Sequence, residues 1–140
     1  MATIRKTMEL NLPADAVWDV LADFQNVHTR LAPGFLTGST PDGDDVRVVS
    51  FANGSVAREK LVSKDAGLRR LVYTIANDRL THHSASAEIV PDGPVRCPFV
   101  WTTDVLPDSL ASYIDGQMTE GAEAMKAALE GTSRTDGTKL

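Results

Sequence analysis

The order of apolar and polar positions divides the chain into a first strand, a helical stretch, a strand-rich middle and a long final helix. Residues 3–11 alternate apolar with polar side chains, which predicts a half-buried strand. Apolar residues then recur at helical spacing over 17–24, which predicts an amphipathic helix. A second short helix is predicted over 25–30, because Pro33 and Gly34 end the helical pattern.

Six strand patterns separated by turn signals follow over 35–106, and a long helical pattern runs from Pro107 to a predicted stop at Gly131. A run of antiparallel strands with segregated helices is typical of an α+β domain. We expect one curved seven-stranded antiparallel sheet wrapped around the long C-terminal helix, with two short helices after the first strand. A single domain is predicted over 1–130, and the polar stretch 131–140 is expected to form a flexible tail.

One hairpin decides which side chains of the middle strands face the interior. Asn53-Gly54 lies between two alternating runs and favours a two-residue type I′ turn, in which both central residues have positive φ. Pairing across such a turn places Val48 opposite Glu59 on one face of the hairpin. The other face carries three cations and is therefore predicted to face the solvent: Arg47, Arg58 and Lys60. Glu59 is thus expected to point inward.

The inward-facing positions predict an internal cavity, because several of them are small. Native interiors are close-packed, and a sheet bent around a helix cannot easily flatten to fill a gap. Only 6% of the residues are aromatic, so few large rings are available to fill the interior. The predicted ligand-binding positions are Val48, Ser50, Ala57, Ala85, Phe99, Trp101, Thr103, Gln117, Met118 and Gly121.

Three polar residues on the predicted inward face are candidates for chemistry: Glu59, Tyr73 and His83. Together with Thr103 they lie on successive strands and are expected to form one lateral row, with neighbouring strands about 4.8 Å apart. A carboxylate on an apolar wall suits proton transfer, and a phenol and an imidazole suit a ligand carbonyl or hydroxyl. A purely structural or ligand-anchoring network remains the alternative. We expect Glu59→Gln to change ligand affinity or turnover more than the fold.

Composition and charge exclude several other classes of function. The chain has 140 residues and a formal net charge of −5 without a basic cluster, which argues against nucleic-acid binding. A single cysteine, Cys97, excludes an internal disulfide framework and a zinc site made of several cysteines. No signal-peptide pattern and no apolar run of membrane-spanning length is visible, so a cytoplasmic location is expected.

Metal and nucleotide cofactors also lack support in the sequence. His82 and His83 are adjacent on a predicted strand, where successive side chains point to opposite faces and cannot chelate one ion together. No glycine-rich loop stands between a strand and a helix in the position that a phosphate group requires. The sequence therefore predicts no metal and no cofactor.

Four stretches of the chain resemble a known superfamily. The stretch 12–23 is similar to the N-terminal helix signature of the Bet v 1-like, START-related (SRPBCC) proteins. The stretches 46–59, 70–73 and 99–107 are similar to their bacterial polyketide cyclase/dehydratase-type branch. The resemblance covers about 2–130 and implies the helix-grip fold, with a central pocket for a hydrophobic small molecule. Glu59, Tyr73 and Trp101 match positions that recur in that branch.

Two functions of different classes follow from this resemblance and from the inferred pocket. The first is a binding module for a small hydrophobic ligand, of aromatic or polyketide-like type. The second is a cofactor-independent cyclase or dehydratase in which Glu59, with His83 or Tyr73, moves protons.

A third and weaker alternative is a protein-interaction module, as in chaperone-activating relatives. It requires an apolar patch outside the pocket, for which the predicted outer hairpin face offers only Val49, Phe51 and Val56. A dimer partner would cover the same patch, so either a monomer or a homodimer is expected.

Overall fold

A single antiparallel sheet forms the body of the protein in a computed structural model that describes residues 1–138. Its strands are β1 (Ala2–Leu10), β2 (Leu36–Pro41), β3 (Val46–Phe51), β4 (Val56–Asp65), β5 (Arg70–Ile75), β6 (His82–Ile89) and β7 (Cys97–Leu106). Their order across the sheet is β1-β7-β6-β5-β4-β3-β2, so each pair from β2 to β7 is joined by a local connection. The predicted α+β class and seven-stranded antiparallel sheet are confirmed.

The helices lie where the apolar spacing predicts them, with one difference at the C-terminus. Helix α1 (Ala14–Ala22) is followed by a 3₁₀ turn and a π-helical turn, and α2 (Ala111–Thr138) follows β7 after a further 3₁₀ turn. Gly131 does not end α2, because helical backbone continues to Thr138. The stretch 131–138 has helical backbone, and the last two residues of the predicted tail lie outside the described residues, so its flexibility stays a prediction.

The β6–β7 half of the sheet has the predicted alternation. These two strands pair without a break from His82 opposite Leu106 to Ile89 opposite Phe99. The inward positions are all buried, whereas most of the alternate positions are only half-buried. The buried set is His83, Ala85, Ala87, Ile89, Phe99, Trp101, Thr103 and Val105. This strict alternation is the pattern of a sheet with one face on the core.

The β3–β4 hairpin has a different turn from the one predicted. The amide of Phe51 donates to the carbonyl of Ser55, and the amide of Gly54 donates to the carbonyl of Phe51, both at 2.9 Å. Gly54 has a φ of +91°, whereas Asn53 has no positive φ. Three residues therefore connect the strands, with the glycine in the left-handed position of a three-residue loop.

The longer turn reverses the faces of β3. Arg47, not Val48, lies opposite Glu59, and Val49 lies opposite Ala57. A slip of one residue moves every side chain of a strand to the other face of the sheet. The predicted inward positions Val48 and Ser50 are therefore on the outer face, and that part of the prediction is wrong.

Helix α2 packs on the concave face of the sheet through one close approach. An added Cβ at Gly121 would lie 3.1 Å from the rings of Phe35 and Trp101, closer than a side chain normally approaches. The absence of a side chain at Gly121 lets the helix reach these rings. Further along the same helix face, Met118, Met125 and Leu129 are buried.

A candidate ligand-binding cavity

A cavity of about 690 Å³ lies between the sheet and α2. This volume is within the range of pockets that hold small molecules. Its wall is largely apolar and includes Val27, Leu36, Phe51, Ile75, Leu80, Trp101, Ile114 and Met125. Exposed residues form its rim, among them Val56, Asp78, Arg79 and Tyr113, so the cavity is open to solvent at one end.

The predicted ligand-binding residues fall into three groups. Five of them line the cavity: Ala57, Trp101, Thr103, Gln117 and Met118. Three are buried without being part of its lining: Ala85, Phe99 and Gly121. Val48 and Ser50 do not line it, because the β3 register turns them outward.

A buried ion pair that the sequence does not predict lies in the cavity wall. The Nε of Arg47 donates to Oε1 of Glu59 at 2.7 Å, and both side chains are less than 10% exposed. The Nη1 of Arg47 donates to the backbone carbonyl of Phe24 at 2.9 Å, and the guanidinium lies 3.9 Å from the centre of the Phe24 ring. Glu59 is inward, as predicted, but it faces a cation rather than an apolar wall.

The sequence carries a signal for this pair that the predicted turn hides. A two-residue turn pairs Arg47 with Lys60 and so groups it with the outer cations. The three-residue turn instead places Arg47 directly across from Glu59. Opposite charges on facing positions of two strands attract, so complementarity with Glu59 was the available signal for an inward arginine.

Tyr73 lies beside the ion pair on β5. Its ring centre is 5.3 Å from the guanidinium carbon of Arg47, and the residue is 9% exposed. Burial raises the pKa of the phenol well above its usual value, and the negative charge of Glu59 adds to the shift, while Arg47 and Trp101 oppose it. Tyr73 is therefore a neutral hydroxyl at physiological pH.

His83 is the second neutral polar group of the wall. Its Nδ1 accepts a hydrogen bond from the backbone amide of Ile75 at 3.1 Å. Burial lowers the pKa of the imidazole to about 4, and the neighbouring His82 contributes to the shift. Because Nδ1 is an acceptor in a neutral ring, the proton of His83 is on Nε2.

The polar residues converge on the cavity, but they do not form the predicted single row. Glu59 lies opposite Ile75, one row away from the Tyr73–Ala85–Thr103 row. The Tyr73 and His83 ring centres are 6.0 Å apart. All four predicted polar positions nevertheless line the same cavity, in two neighbouring rows of the sheet.

The rim joins the hairpin to the helix. The Nδ2 of Asn53 donates to the hydroxyl of Tyr113 at 3.3 Å, which links the β3–β4 turn to the first turn of α2. Of the proposed outer apolar patch, only Val56 is strongly exposed, whereas Val49 is fully buried and Phe51 lines the cavity. The predicted hairpin patch for a protein partner is therefore wrong.

Among the side chains that the structure describes, those of residues 1–131, no group of three or more His, Cys, Asp or Glu is arranged to hold a metal ion. His82 is exposed and His83 is buried, as expected for adjacent residues of one strand. No helix in the described part of the chain is both long enough and apolar enough to cross a membrane.

Comparison with known proteins gives one family and many similar folds. The family of polyketide cyclase / dehydrase and lipid transport proteins matches residues 1–130. No protein with a curated description matches the chain. A protein from Thermobifida fusca, whose structure was solved by NMR, is 32% identical, with a TM-score of 0.76 over 94% of this chain and 95% of that one.

Two further solved structures share the fold at lower identity. Norcoclaurine synthase from Thalictrum flavum, solved with dopamine and hydroxybenzaldehyde, is 20% identical, with a TM-score of 0.74 over 99% of this chain and 89% of that one. A START superfamily protein from Mycobacterium smegmatis is 20% identical, with a TM-score of 0.69 over 93% and 95% of the two chains. From its match over residues 1–130, the chain belongs to the family of polyketide cyclase / dehydrase and lipid transport proteins.

Proposed function

We propose that the protein binds a small hydrophobic molecule in the cavity between the sheet and α2. The observation that carries the proposal is the cavity itself, about 690 Å³ in volume, with a mostly apolar wall and a few buried polar groups. Pockets of this size and lining are typical of small-molecule sites. The family description, which includes lipid transport, is consistent with such a ligand.

Binding is favoured over catalysis by the state of the three candidate catalytic residues. Glu59 is held by Arg47 at 2.7 Å, so one of its oxygens is already engaged. Tyr73 keeps its proton, and His83 carries its proton on Nε2 while Nδ1 is occupied by a backbone amide. Tyr73 and His83 in these states donate hydrogen bonds to a ligand more readily than they remove protons from it, and the pairing of Glu59 with Arg47 engages the carboxylate that would act as the base.

A cofactor-independent cyclase or dehydratase is the second candidate. The convergence of Glu59, Tyr73 and His83 on one cavity supports it, together with the family description. Incubation with a poly-β-ketone thioester, followed by mass spectrometry, tests this alternative. A dehydrated product or a ring-closed isomer, formed only in the presence of active protein, would favour the enzyme over the binding module.

A direct test of binding uses a neutral fluorescent naphthalene ketone, prodan, titrated into the purified protein. We expect saturable blue-shifted emission, and we expect Ala57→Phe to weaken binding about tenfold because the larger ring occupies the cavity. Val62→Phe, on the solvent-exposed face of the same strand, is the matched control and should leave the affinity unchanged. Equal affinities in the wild type and the Ala57→Phe variant would show that the probe binds outside the cavity and would contradict the proposal.

A further inference from the structure

The cavity wall presents one hydrogen-bond donor that the protein itself does not use. His83 is 6% exposed and lines the cavity. Its Nδ1 accepts from the Ile75 amide, so Nε2 carries the proton. No group in the described part of the chain accepts a hydrogen bond from this Nε2. The atom is not sealed inside the protein and can be reached from the cavity, where a ligand acceptor can meet it.

A second donor lies beside it on the same wall. Tyr73 is nearly as buried as His83, and the two ring centres are 6.0 Å apart. Trp101 contributes a hydrogen bond to the Tyr73 hydroxyl, and because an indole N–H can only donate, the phenol proton is left for a ligand acceptor. A phenol and an imidazole N–H on adjacent strands can converge on one oxygen atom, because an uncharged carbonyl oxygen has two lone pairs.

The charges around these donors determine what kind of oxygen fits. Arg47 and Glu59 form a neutral pair inside the wall. A ligand carboxylate placed there would add a second negative charge next to Glu59, and buried like charges repel strongly. Arg79 is the other arginine of the lining, and its side chain is exposed at the rim, so the buried wall offers a carboxylate no unpaired cation.

We propose that the ligand carries an uncharged oxygen acceptor, such as a ketone carbonyl, held by the Tyr73 hydroxyl and His83 Nε2, and that the cavity discriminates against carboxylates. This inference rests on the proposed function, since it names the class of ligand for the same cavity. The inference predicts that the cavity prefers ketone-bearing molecules to fatty acids, although both are small and hydrophobic.

The protonation states agree with this assignment. Burial raises the pKa of Tyr73 and lowers that of His83 to about 4, so both groups are neutral donors at pH 7. An uncharged acceptor needs no change in either group. A carboxylate would require a compensating positive charge, which His83 does not supply at that pH.

The test compares three naphthalenes of similar size at pH 7 by calorimetry: 2-acetylnaphthalene, 2-ethylnaphthalene and 2-naphthoate. We expect the ketone to bind about tenfold more tightly than the hydrocarbon, as two modest hydrogen bonds would give, and the carboxylate to bind more weakly than both. The series is repeated in Arg79→Gln, which removes capture of the carboxylate at the rim. The order of affinities in that variant shows whether the cavity itself prefers the ketone to the carboxylate.

Tyr73→Phe and His83→Leu test the assigned atoms. Each should reduce the preference for the ketone over the hydrocarbon several-fold, while the affinity for the hydrocarbon stays similar. The ratio of ketone affinity to hydrocarbon affinity is measured within one variant, so a general change in the cavity cancels. If His83→Leu does not fold, Tyr73→Phe alone provides the test.

Two results would overturn the inference while leaving the proposed function intact. One is equal binding of ketone and hydrocarbon by the wild type. The other is tightest binding of 2-naphthoate by Arg79→Gln. If none of the three probes binds, and prodan does not bind either, the proposed function fails and this inference fails with it.

Discussion

Two parts of the same sheet, the β6–β7 ladder and the β3–β4 hairpin, show different relations between sequence and structure. In β6–β7 the inward residues alternate strictly, and three of them, Ala85, Phe99 and Val105, are almost completely buried outside the cavity lining. In β3–β4 the inward residues are Arg47 and Glu59, and they form part of the wall of an open cavity.

The difference lies in how strongly each strand distinguishes its two faces. Strands β6 and β7 place apolar residues on one face, apart from His83 and Thr103, and more polar than apolar residues on the other. In β3 both faces carry valines, Val46 and Val48 on one and Val49 on the other. Local polarity therefore does not specify the face, and the length of the turn and pairing with β4 decide it.

The largest expected effect tests the buried residues of the β6–β7 ladder. Phe99→Ala removes a ring that is 1% exposed and should lower the free energy of unfolding by about 4 kcal/mol. Urea denaturation measures this change. Val100→Ala, on the opposite face of the same strand, is the control and should cost less than about 1 kcal/mol. Similar losses in both variants would contradict the one-sided burial of β7.

Glu59→Gln tests the cavity side, and the expected outcome differs from the one the sequence alone suggests. The change leaves the charge of Arg47 buried and uncompensated, so we expect a loss of about 3 kcal/mol of stability as well as any loss of ligand affinity. Urea denaturation of the ligand-free protein measures the structural part.

The double variant Arg47→Met, Glu59→Leu is the control for the ion pair. It removes both charges and should be more stable than Glu59→Gln, because an apolar pair leaves no unpaired buried charge. A stability of Glu59→Gln within about 0.5 kcal/mol of the wild type would contradict a buried pair at this position.

His83 lies on β6 and lines the cavity, and its titration predicts that the stability of the protein depends on pH. Its pKa is about 4 in the folded chain against an ordinary value of 6.5. Protonation therefore favours the unfolded state, and the stability present above pH 6.5 is lost as the pH falls toward 4, by about 3 kcal/mol at most.

Urea denaturation between pH 4 and 7 measures this loss, and two variants isolate its source. His83→Gln should flatten the dependence in that range. His82→Gln should retain most of it, because burial of His83 is the largest cause of the shift. An unchanged slope in His83→Gln would assign the pH dependence to other groups.

The smallest expected effect distinguishes the two possible registers of the hairpin. Val49 is completely buried and Val48 only half-buried on the outer face. Val49→Ala should therefore cost about 2 kcal/mol, and Val48→Ala less than about 1 kcal/mol. The reverse order would support the two-residue turn that Asn53-Gly54 predicts and would place Arg47 in the solvent.

Much of the site could be predicted because side chains of one strand alternate reliably. The cations on one face of the β3–β4 hairpin predict that Glu59 faces inward, strand alternation predicts the same for Tyr73, His83 and Thr103, and all four line the cavity. Arg47 was missed because its assignment depended on the number of residues in a turn. Asn53-Gly54 is compatible with both a two-residue and a three-residue loop, and the dipeptide alone does not distinguish them.

The sequence by itself determined the order of strands and helices, the family resemblance and the inward face of β4 to β7, since these follow from local periodicity and residue type. The tertiary structure decided the face of β3, the Arg47–Glu59 pair and the protonation of Tyr73 and His83. Each of these depends on which groups meet across the fold and on how little water reaches them. Such quantities are set by packing between distant segments, so no window of the sequence contains them.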